Sequence, residues 1–282
     1  GRGAVWIFGG RVDIVSRHVK SSGFVQRTLT VDRYSARLLR KERAKMKTVL
    51  ASKRIHSAVW TGLVGLLLTG AVLSICLAPT EQTMGDAQRV MYVHIAVAWL
   101  SLLGFIAMAA CALRYLFRRN LWWDQWSQAI CEIGWLCSTL TLVTGSLWAH
   151  SAWGTWWTWD PRLTISTISW LLYIGYIMLR GAIDNPERQA RFGAIYALIA
   201  ALSIPLNWMA IRWWRTIHPA VVLPGNNADA VGSFGMSASL QTTLLFCLLA
   251  FTVFYVALMM HRVKLEAMRR RVDSIRQQVL YR

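Results

Sequence analysis

The chain has 282 residues, of which 55% are hydrophobic and 16% charged, and its formal net charge is +18. Soluble domains carry about 25% charged residues, so this composition excludes an ordinary soluble domain and indicates an integral membrane protein. The apolar residues form continuous runs without the alternation of a transmembrane β-strand, which excludes a β-barrel. The predicted fold class is all-α, an integral membrane protein with six transmembrane helices.

The first 45 residues differ from the rest because they are polar and basic. Residues 1–56 contain fourteen Lys or Arg against three acids, and Met46 begins MKTVLASKRIHSAVW, which is typical of a natural start. We therefore predict residues 1–45 to be a basic N-terminal extension encoded upstream of the native protein. Two alternatives stay open: a basic amphipathic helix over 32–54 on the membrane surface, and an organellar targeting segment.

Six apolar segments follow, each long enough to cross a hydrocarbon core, which needs about 20 residues. The predicted spans are 57–78, 91–116, 129–149, 163–180, 192–211 and 240–261. We predict one membrane domain over residues 46–262, followed by a basic cytoplasmic tail over 263–282.

The distribution of basic residues predicts the orientation of these spans. Lys and Arg are concentrated in residues 1–56, after the second and fourth spans and in the tail, whereas 79–90 and 150–162 contain one each and 212–239 contains two. The positive-inside rule then places both termini in the cytoplasm. The high basic total indicates topology and attraction to anionic lipid, not nucleic-acid binding.

Three histidines fall on the predicted outer face. His94 lies in VMYVHIAVAW at the end of the second span, His150 follows the third span, and His218 lies in RWWRTIHPAVV after the fifth. Neutral imidazole is a common ligand of transition metals, including haem iron. Two of them could ligate a haem, although each alone is also typical of an interfacial hydrogen-bonding residue. The residue pattern does not choose among the three.

The segment 148–164, WAHSAWGTWWTWDPRLT, is called the tryptophan segment below. It contains five tryptophans within twelve residues, namely Trp148, Trp153, Trp156, Trp157 and Trp159. Indole rings supply rigid, flat contact area, so this density predicts a surface for a flat apolar ligand. The alternative is an aromatic belt at the membrane interface, but a belt is distributed over many helix ends.

The polar end of the tryptophan segment admits two interpretations. Asp160 is expected either to form a local ion pair with Arg162 or to accept indole and backbone N–H bonds that hold the segment rigid. Thr164 could help to cap the next helix, and Pro161 suits a loop that turns into it.

Other residues bear on competing functions. The five cysteines each fall inside a predicted span without a CxxC pair, so they are predicted to be small buried hydrophobes. Glu132 is an intramembrane acid of the kind that marks transport pathways, and it is the candidate for a haem-free channel or transporter. The chain has no GxxxxGK[ST] motif, which argues against ATP hydrolysis.

Residues 153–164, WGTWWTWDPRLT, strongly resemble the tryptophan-rich "WWD" family of haem-handling membrane proteins, which serve cytochrome c maturation. The sequences GSLWAHSAWGTWWTWDPRLT, VMYVHIAVAW and RWWRTIH are similar to one branch, the C component of the multi-subunit pathway. The resemblance covers roughly residues 55–220. Two positions depart from that branch: Pro161 stands where Ala is usual, and Ala96 where Pro is common.

The resemblance implies the site. His94 and His218 would be the axial ligands of a b-type haem that is bound without covalent linkage, and His150 would not be a ligand. The residues implied to hold the porphyrin are Trp153, Gly154, Trp156, Trp157, Trp159 and Asp160, with Arg162 supporting them.

The resemblance also implies a function without catalysis. The protein would present haem on the periplasmic side of the bacterial inner membrane and deliver it to a membrane-anchored periplasmic haem chaperone. ATP-binding-cassette subunits and a small single-span subunit are the implied partners, and nucleic acid is not. The alternative within the same superfamily is a cytochrome c synthase (haem lyase), a branch in which Asp-Pro, as at Pro161, is more typical.

Overall fold

The computed structural model describes residues 57–80, 85–218 and 237–280. The predicted extension over residues 1–45 lies outside these residues. The chain divides into the units Gly1–Val59 and Trp60–Arg282, and the account below concerns the second. Every regular element in the described residues is an α-helix.

The described residues form seven helices. They are α1 (Ser57–Leu77), α2 (Ala87–Arg118), α3 (Leu121–Trp153), α4 (Pro161–Gly181), α5 (Pro186–Ala201), α6 (Ser203–Trp213) and α7 (Ala238–Leu280). Six helical segments are long and apolar enough to cross a membrane, with α5 and α6 together forming one of them. The prediction of an all-α membrane protein with six spans is confirmed.

The helices continue beyond the apolar runs that predicted them, because backbone hydrogen bonding persists into polar sequence at a membrane surface. Helix α3 ends at Trp153, so the first six residues of the tryptophan segment are helical and only 154–160 form a loop. Gly154 ends the helix: its φ is 69°, and its N–H donates to the His150 carbonyl over 3.0 Å. Glycine is favoured there because it has no Cβ to oppose a left-handed conformation.

The fifth predicted span, 192–211, is broken into two helices at Leu202. Pro205 has no N–H to donate to the carbonyl of Ala201, which interrupts the helical ladder. The Ser203 hydroxyl donates to the carbonyl of Ala200 over 2.7 Å and so satisfies part of the break. As a result α6 is a separate helix, and its residues contribute to the cavity described below.

Close packing of α2 and α3 forms the centre of the bundle. A loop of two residues joins these helices. Gly104 of α2 contacts Gly134 of α3, and a Cβ added to Gly104 would lie 3.4 Å from the Gly134 Cα. Small residues at such contacts let helices in membranes approach closely. Helix α4 packs beside them through Tyr173, whose ring stacks on Phe105 with centroids 3.4 Å apart.

One end of the bundle, called the ion-pair end below, is held by buried charges. Asp124 at the start of α3 and Arg180 at the end of α4 are each 3% exposed and form a two-pronged pair with N···O distances of 2.5 and 2.9 Å. Gln128 and Gln189 accept further bonds from the same guanidinium, at 3.1 and 3.0 Å. This pairing offsets the large cost of removing both charges from water.

Glu132 belongs to a second ion-pair group at this end. Its carboxylate accepts two hydrogen bonds from Arg262, at 2.6 and 2.9 Å, and Glu266 joins Arg262 to Arg270. Glu132, the candidate residue for a transport pathway, thus joins α3 to α7 through an ion pair. The five cysteines are free thiols, and four of them are buried as predicted. The prediction is wrong for Cys76, which is exposed because it lies on α1, where few residues are buried.

Candidate functional site

A cavity of about 650 Å³ lies at the opposite end of the bundle, called the histidine end below. Residues of α2, α3, α4, α6 and α7 line it, from His94 to Phe105 along α2. Eleven residues of helix correspond to about 16 Å, so the cavity runs well into the bundle. Its volume falls within the range of about 300–1,000 Å³ that is usual for ligand sites.

His94 and His218 face each other in this cavity. Their ring centroids lie 6.4 Å apart with an interplanar angle of 44°. A metal–imidazole bond is about 2 Å long and the ring nitrogen lies about 1 Å from the centroid, so two imidazoles on one metal atom have centroids about 6 Å apart. The separation therefore fits two axial ligands of a single metal atom.

The environment of His94 fixes which ring nitrogen is available. Its Nδ1 lies 3.1 Å from the Thr141 carbonyl and 3.2 Å from the Thr144 hydroxyl oxygen. A carbonyl only accepts, so Nδ1 carries the proton and donates, which leaves the Nε2 lone pair free for a metal. Gly145 makes room for the ring, since a Cβ there would lie 2.9 Å from His94 Cε1.

A chain of hydrogen bonds connects Asp160 to His218. One Asp160 oxygen accepts from the backbone N–H of Leu163 over 3.0 Å and so caps α4. The other accepts from the buried Thr216 hydroxyl over 2.9 Å, and that hydroxyl oxygen accepts from the backbone N–H of His218 over 3.1 Å. Asp160 thereby joins the tryptophan segment to the stretch of chain that carries the second histidine.

The sequence left two roles open for Asp160, an ion pair with Arg162 or a carboxylate that accepts indole and backbone N–H bonds. In the structure its carboxylate accepts a backbone N–H bond. Asp160 and Arg162 form no ion pair within the described residues, and Asp160, not Thr164, is the N-cap of α4. Pro161 occupies the first position of the helix, where proline is favoured because its missing N–H would have no partner. Helix geometry thus accounts for the Asp-Pro sequence.

The tryptophans divide between the cavity wall and its rim. Trp148, Trp153, Trp156 and Trp157 line the cavity, whereas Trp159 is 76% exposed and does not. The indole N–H of Trp157 is buried and has no hydrogen-bond partner among the described residues. Gly154 and Asp160 do not line the cavity either. Their roles are to end α3 and to begin α4.

Two arginines, Arg162 and Arg212, line the cavity. Neither Arg162 nor Arg212 forms a hydrogen bond or ion pair with another residue in the part of the chain that is described, although Arg212 lies 5.9 Å from the Trp208 ring centroid. The sequence analysis did not identify Arg212 as a candidate site residue and used it only as one of the two basic residues in the segment 212–239. Its helical position in α6, one turn beyond Trp208, is the signal that could have found it.

His150 lies outside the cavity, behind one of its lining tryptophans. It is exposed and stacks on Trp156, with centroids 4.0 Å apart and an interplanar angle of 5°, and it does not line the cavity. The geometry therefore distinguishes it from the other two histidines, a choice that the residue pattern alone left open.

His94 and His218 supply two metal ligands, which suits a metal whose remaining ligands belong to a cofactor. The described residues contain no cluster of three or more His, Cys, Asp or Glu able to hold a metal ion. A bare zinc ion takes about four protein ligands or waters, whereas haem iron has four porphyrin nitrogens and needs only axial ligands. A haem with its carboxylates would contact groups of these kinds: two histidines, an apolar aromatic wall and two arginines that form no ion pair among the described residues.

The fold is that of a multi-pass membrane protein, and its cavity brings His94 and His218 together beside several tryptophans. The chain belongs to the heme exporter protein C (CcmC) family, whose model matches residues 40–278. It is 35% identical to heme exporter protein C of Bradyrhizobium diazoefficiens over 74% of this chain and 78% of the relative. The family indicated by the tryptophan segment is thus confirmed.

Two further relatives extend the comparison. The chain is 32% identical to a putative cytochrome c biosynthesis ccmC-like mitochondrial protein of Marchantia polymorpha, over 65% of this chain and 75% of the relative. It is 29% identical to heme exporter protein C of Rhodobacter capsulatus, over 82% of this chain and 94% of the relative.

Proposed function

We propose that this protein binds a b-type haem between His94 and His218 and delivers it to a periplasmic haem chaperone during cytochrome c maturation. The observation that carries the proposal is the 6.4 Å separation of the two imidazoles inside one cavity. Membership of the heme exporter protein C family supports a role in haem handling for cytochrome c maturation.

The protein's own residues bind and orient the cargo. Thr141 and Thr144 hold the His94 ring so that Nε2 is free, and the Asp160–Thr216 bond positions the backbone of His218. Trp153 and Trp157 exclude water from the faces or edges of the ligand. The redox and ligation chemistry belongs to the haem, and the protein controls its orientation and exposure.

Arg162 and Arg212 would receive the carboxylates of the haem. Both guanidinium groups line the cavity wall without a protein partner among the described residues. A guanidinium forms charge-assisted hydrogen bonds with a carboxylate. Ion pairing with a haem carboxylate would therefore offset the cost of holding each guanidinium in a largely apolar cavity.

The site would lie on the periplasmic side of the bacterial inner membrane, with both termini in the cytoplasm, as the distribution of Lys and Arg predicts. Trp156 and Trp159 are 54% and 76% exposed at the rim, where a chaperone could contact the bound haem. The expected partners are that chaperone, ATP-binding-cassette subunits and a small single-span subunit, and no nucleic acid.

The competing functions lack a specific observation. Pro161 was the residue that pointed to a haem lyase. It is the first residue of α4, a position where proline is common in helices of any protein, so it does not distinguish a lyase. Glu132, which favoured a haem-free transporter, is paired with Arg262. We therefore propose a haem-delivery protein that catalyses no covalent step.

Delivery can be tested in a bacterial host that lacks its own C component but retains the other maturation factors. The wild-type chain should restore covalent haem on the chaperone, detected by haem staining. His94→Ala and His218→Ala should abolish it, and the matched variant His150→Ala should retain it. Unlabelled chaperone with a correctly inserted wild-type chain would contradict delivery. Thioether-linked cytochrome c made without any other maturation factor would favour the lyase.

A further inference from the structure

Helix α7 continues far beyond the part that can cross a membrane. Its 43 residues correspond to about 64 Å, roughly twice the thickness of a hydrocarbon core. Residues 238–261 contain no Asp, Glu, Lys or Arg, and charges begin at Arg262. The second half of α7 therefore lies at the ion-pair end of the bundle, where Arg262 and Arg270 pair with α3 and the helix continues to Leu280.

This charged half of α7 carries an apolar stripe with heptad spacing. Its members recur at intervals of three and four residues, and each is between 52% and 70% exposed; they are Leu265, Met268, Val272, Ile275 and Val279. Such spacing places all five on one face of a helix, as in the a and d positions of a coiled coil. An ordinary solvated helix face does not expose five such residues in register.

The bundle does not use this stripe. The residues of the same stretch that contact the bundle or each other through ion pairs are Arg262, Glu266 and Arg270, linked to Glu132 and Asp124. At about 100° per residue, those three lie about 140° around the helix from the stripe. The ion pairs thus fix the rotation of the helix about its axis and direct the stripe away from the other helices that the structure describes.

The charges beside the stripe indicate the partner. In the heptad frame set by Leu265 and Met268, the flanking g and e positions are Lys264, Arg269, Arg271, Arg276 and Gln278. Four of these five are basic and none is acidic. Flanking charges select coiled-coil partners by attraction and repulsion, so two copies of this helix would repel each other.

We propose that residues 264–279 form a docking surface for an amphipathic helix of a partner protein that carries Glu or Asp beside its own apolar stripe. The occupant is a helix because the stripe has coiled-coil spacing, and it is acidic because the flanks are basic. This surface lies at the end of the molecule opposite the cavity and is independent of haem binding.

The test uses the full chain in nanodiscs of neutral lipid and a fluorescent three-heptad peptide with Leu at a and d and Glu at e and g. This acidic probe should bind at least tenfold more tightly than a control peptide with Lys at e and g. Arg269→Glu with Arg276→Glu should reverse the preference. Equal binding of both peptides, or none, would overturn the proposal.

A matched pair of variants separates the stripe from the helix itself. Val272→Asn with Ile275→Asn should weaken binding of the acidic probe at least tenfold. Asp273→Asn with Ser274→Asn introduces the same residues in the same turn but away from the stripe, and should change binding less than twofold. Circular dichroism of both variants checks that α7 is retained, and similar binding by the two would contradict the proposal.

Two other occupants are distinguished by the same material. An environment-sensitive dye at Ile275→Cys, with Cys76→Ser, should report burial when the acidic probe is added. Burial that instead requires phosphatidylglycerol in the nanodisc would identify a lipid surface. Energy transfer between differently labelled copies in the absence of probe would identify self-association. Either result would overturn the proposal of an acidic helix.

Discussion

The two ends of the bundle use charged residues in opposite ways. At the ion-pair end, Arg180 and Arg262 are matched with carboxylates of Asp124 and Glu132. At the histidine end, Arg162 and Arg212 line a cavity and form no hydrogen bond or ion pair among the described residues. Paired charges hold helices together, whereas unpaired charges beside a cavity indicate a ligand that supplies the missing charge.

The comparison predicts that the ion-pair end controls stability, and the largest effect is expected there. Asp124→Leu leaves Arg180 buried without its carboxylate and should lower the free energy of unfolding by about 3–5 kcal/mol. Thermal or denaturant unfolding in detergent measures it. The double variant Asp124→Leu with Arg180→Leu should recover most of the loss, because no buried charge remains.

The single variant Arg180→Leu should be milder than Asp124→Leu, since Arg270 remains 3.6 Å from the Asp124 carboxylate. The folded fraction of every variant should keep the haem spectrum of the wild type. A changed haem spectrum with unchanged stability would contradict the division between the two ends.

At the histidine end the largest effect after loss of a ligand should come from Gly145→Ala. The added Cβ would lie 2.9 Å from His94 Cε1, so the ring must move away from its bonds to Thr141 and Thr144. We expect haem affinity to fall at least tenfold, which is about 1.4 kcal/mol. Haem titration of the apoprotein measures it.

Gly65→Ala is the matched control, because a Cβ at Gly65 meets no atom within 4 Å. It should leave haem affinity unchanged. Equal affinities for the two alanine variants would show that Gly145 has no part in seating His94.

The hydrogen bonds between Asp160 and His218 should have a smaller effect. Thr216→Val removes the hydroxyl that joins them and should weaken haem binding by about 1 kcal/mol, roughly fivefold. Thr216→Ser keeps the hydroxyl and should restore the wild-type affinity. A valine variant that binds haem as tightly as the wild type would show that the Thr216 hydroxyl has no part in haem binding.

The smallest effects should come from the unpaired arginines. Arg162→Gln and Arg212→Gln should each weaken haem binding by about 0.5–1 kcal/mol, since both groups are partly solvated. With haem dimethyl ester, which has no carboxylate, the same substitutions should have no effect. A loss of the same size with the ester would show that the arginines act through the fold and not through the carboxylates.

Hydropathy predicted the six spans correctly, because the length of an apolar run is set by membrane thickness and needs no tertiary information. It did not predict helix ends such as Trp153 or Leu280, since helices continue into polar sequence outside the hydrocarbon. The break at Leu202 was visible in principle, because Pro205 lies inside the run.

The chemistry of the site was predicted better than its geometry. Residue types and resemblance singled out His94 and His218, but only the packing of α2 against α3 and the bond between Thr216 and Asp160 bring their rings to 6.4 Å. The sequence reasoning missed Arg212 and could offer Glu132 only as the candidate residue for the transporter alternative, because the surroundings of both residues come from distant parts of the chain. Glu132 and Arg262 are 130 residues apart.

The most direct test of the central claim is the absorption and electron paramagnetic resonance spectrum of the protein purified from cells supplied with haem. The wild type should contain haem in a six-coordinate, low-spin state with two histidine ligands. His94→Ala and His218→Ala should each lose that state, and His150→Ala should keep it. Wild-type protein without haem, or loss of the signature in His150→Ala alone, would contradict the proposed site.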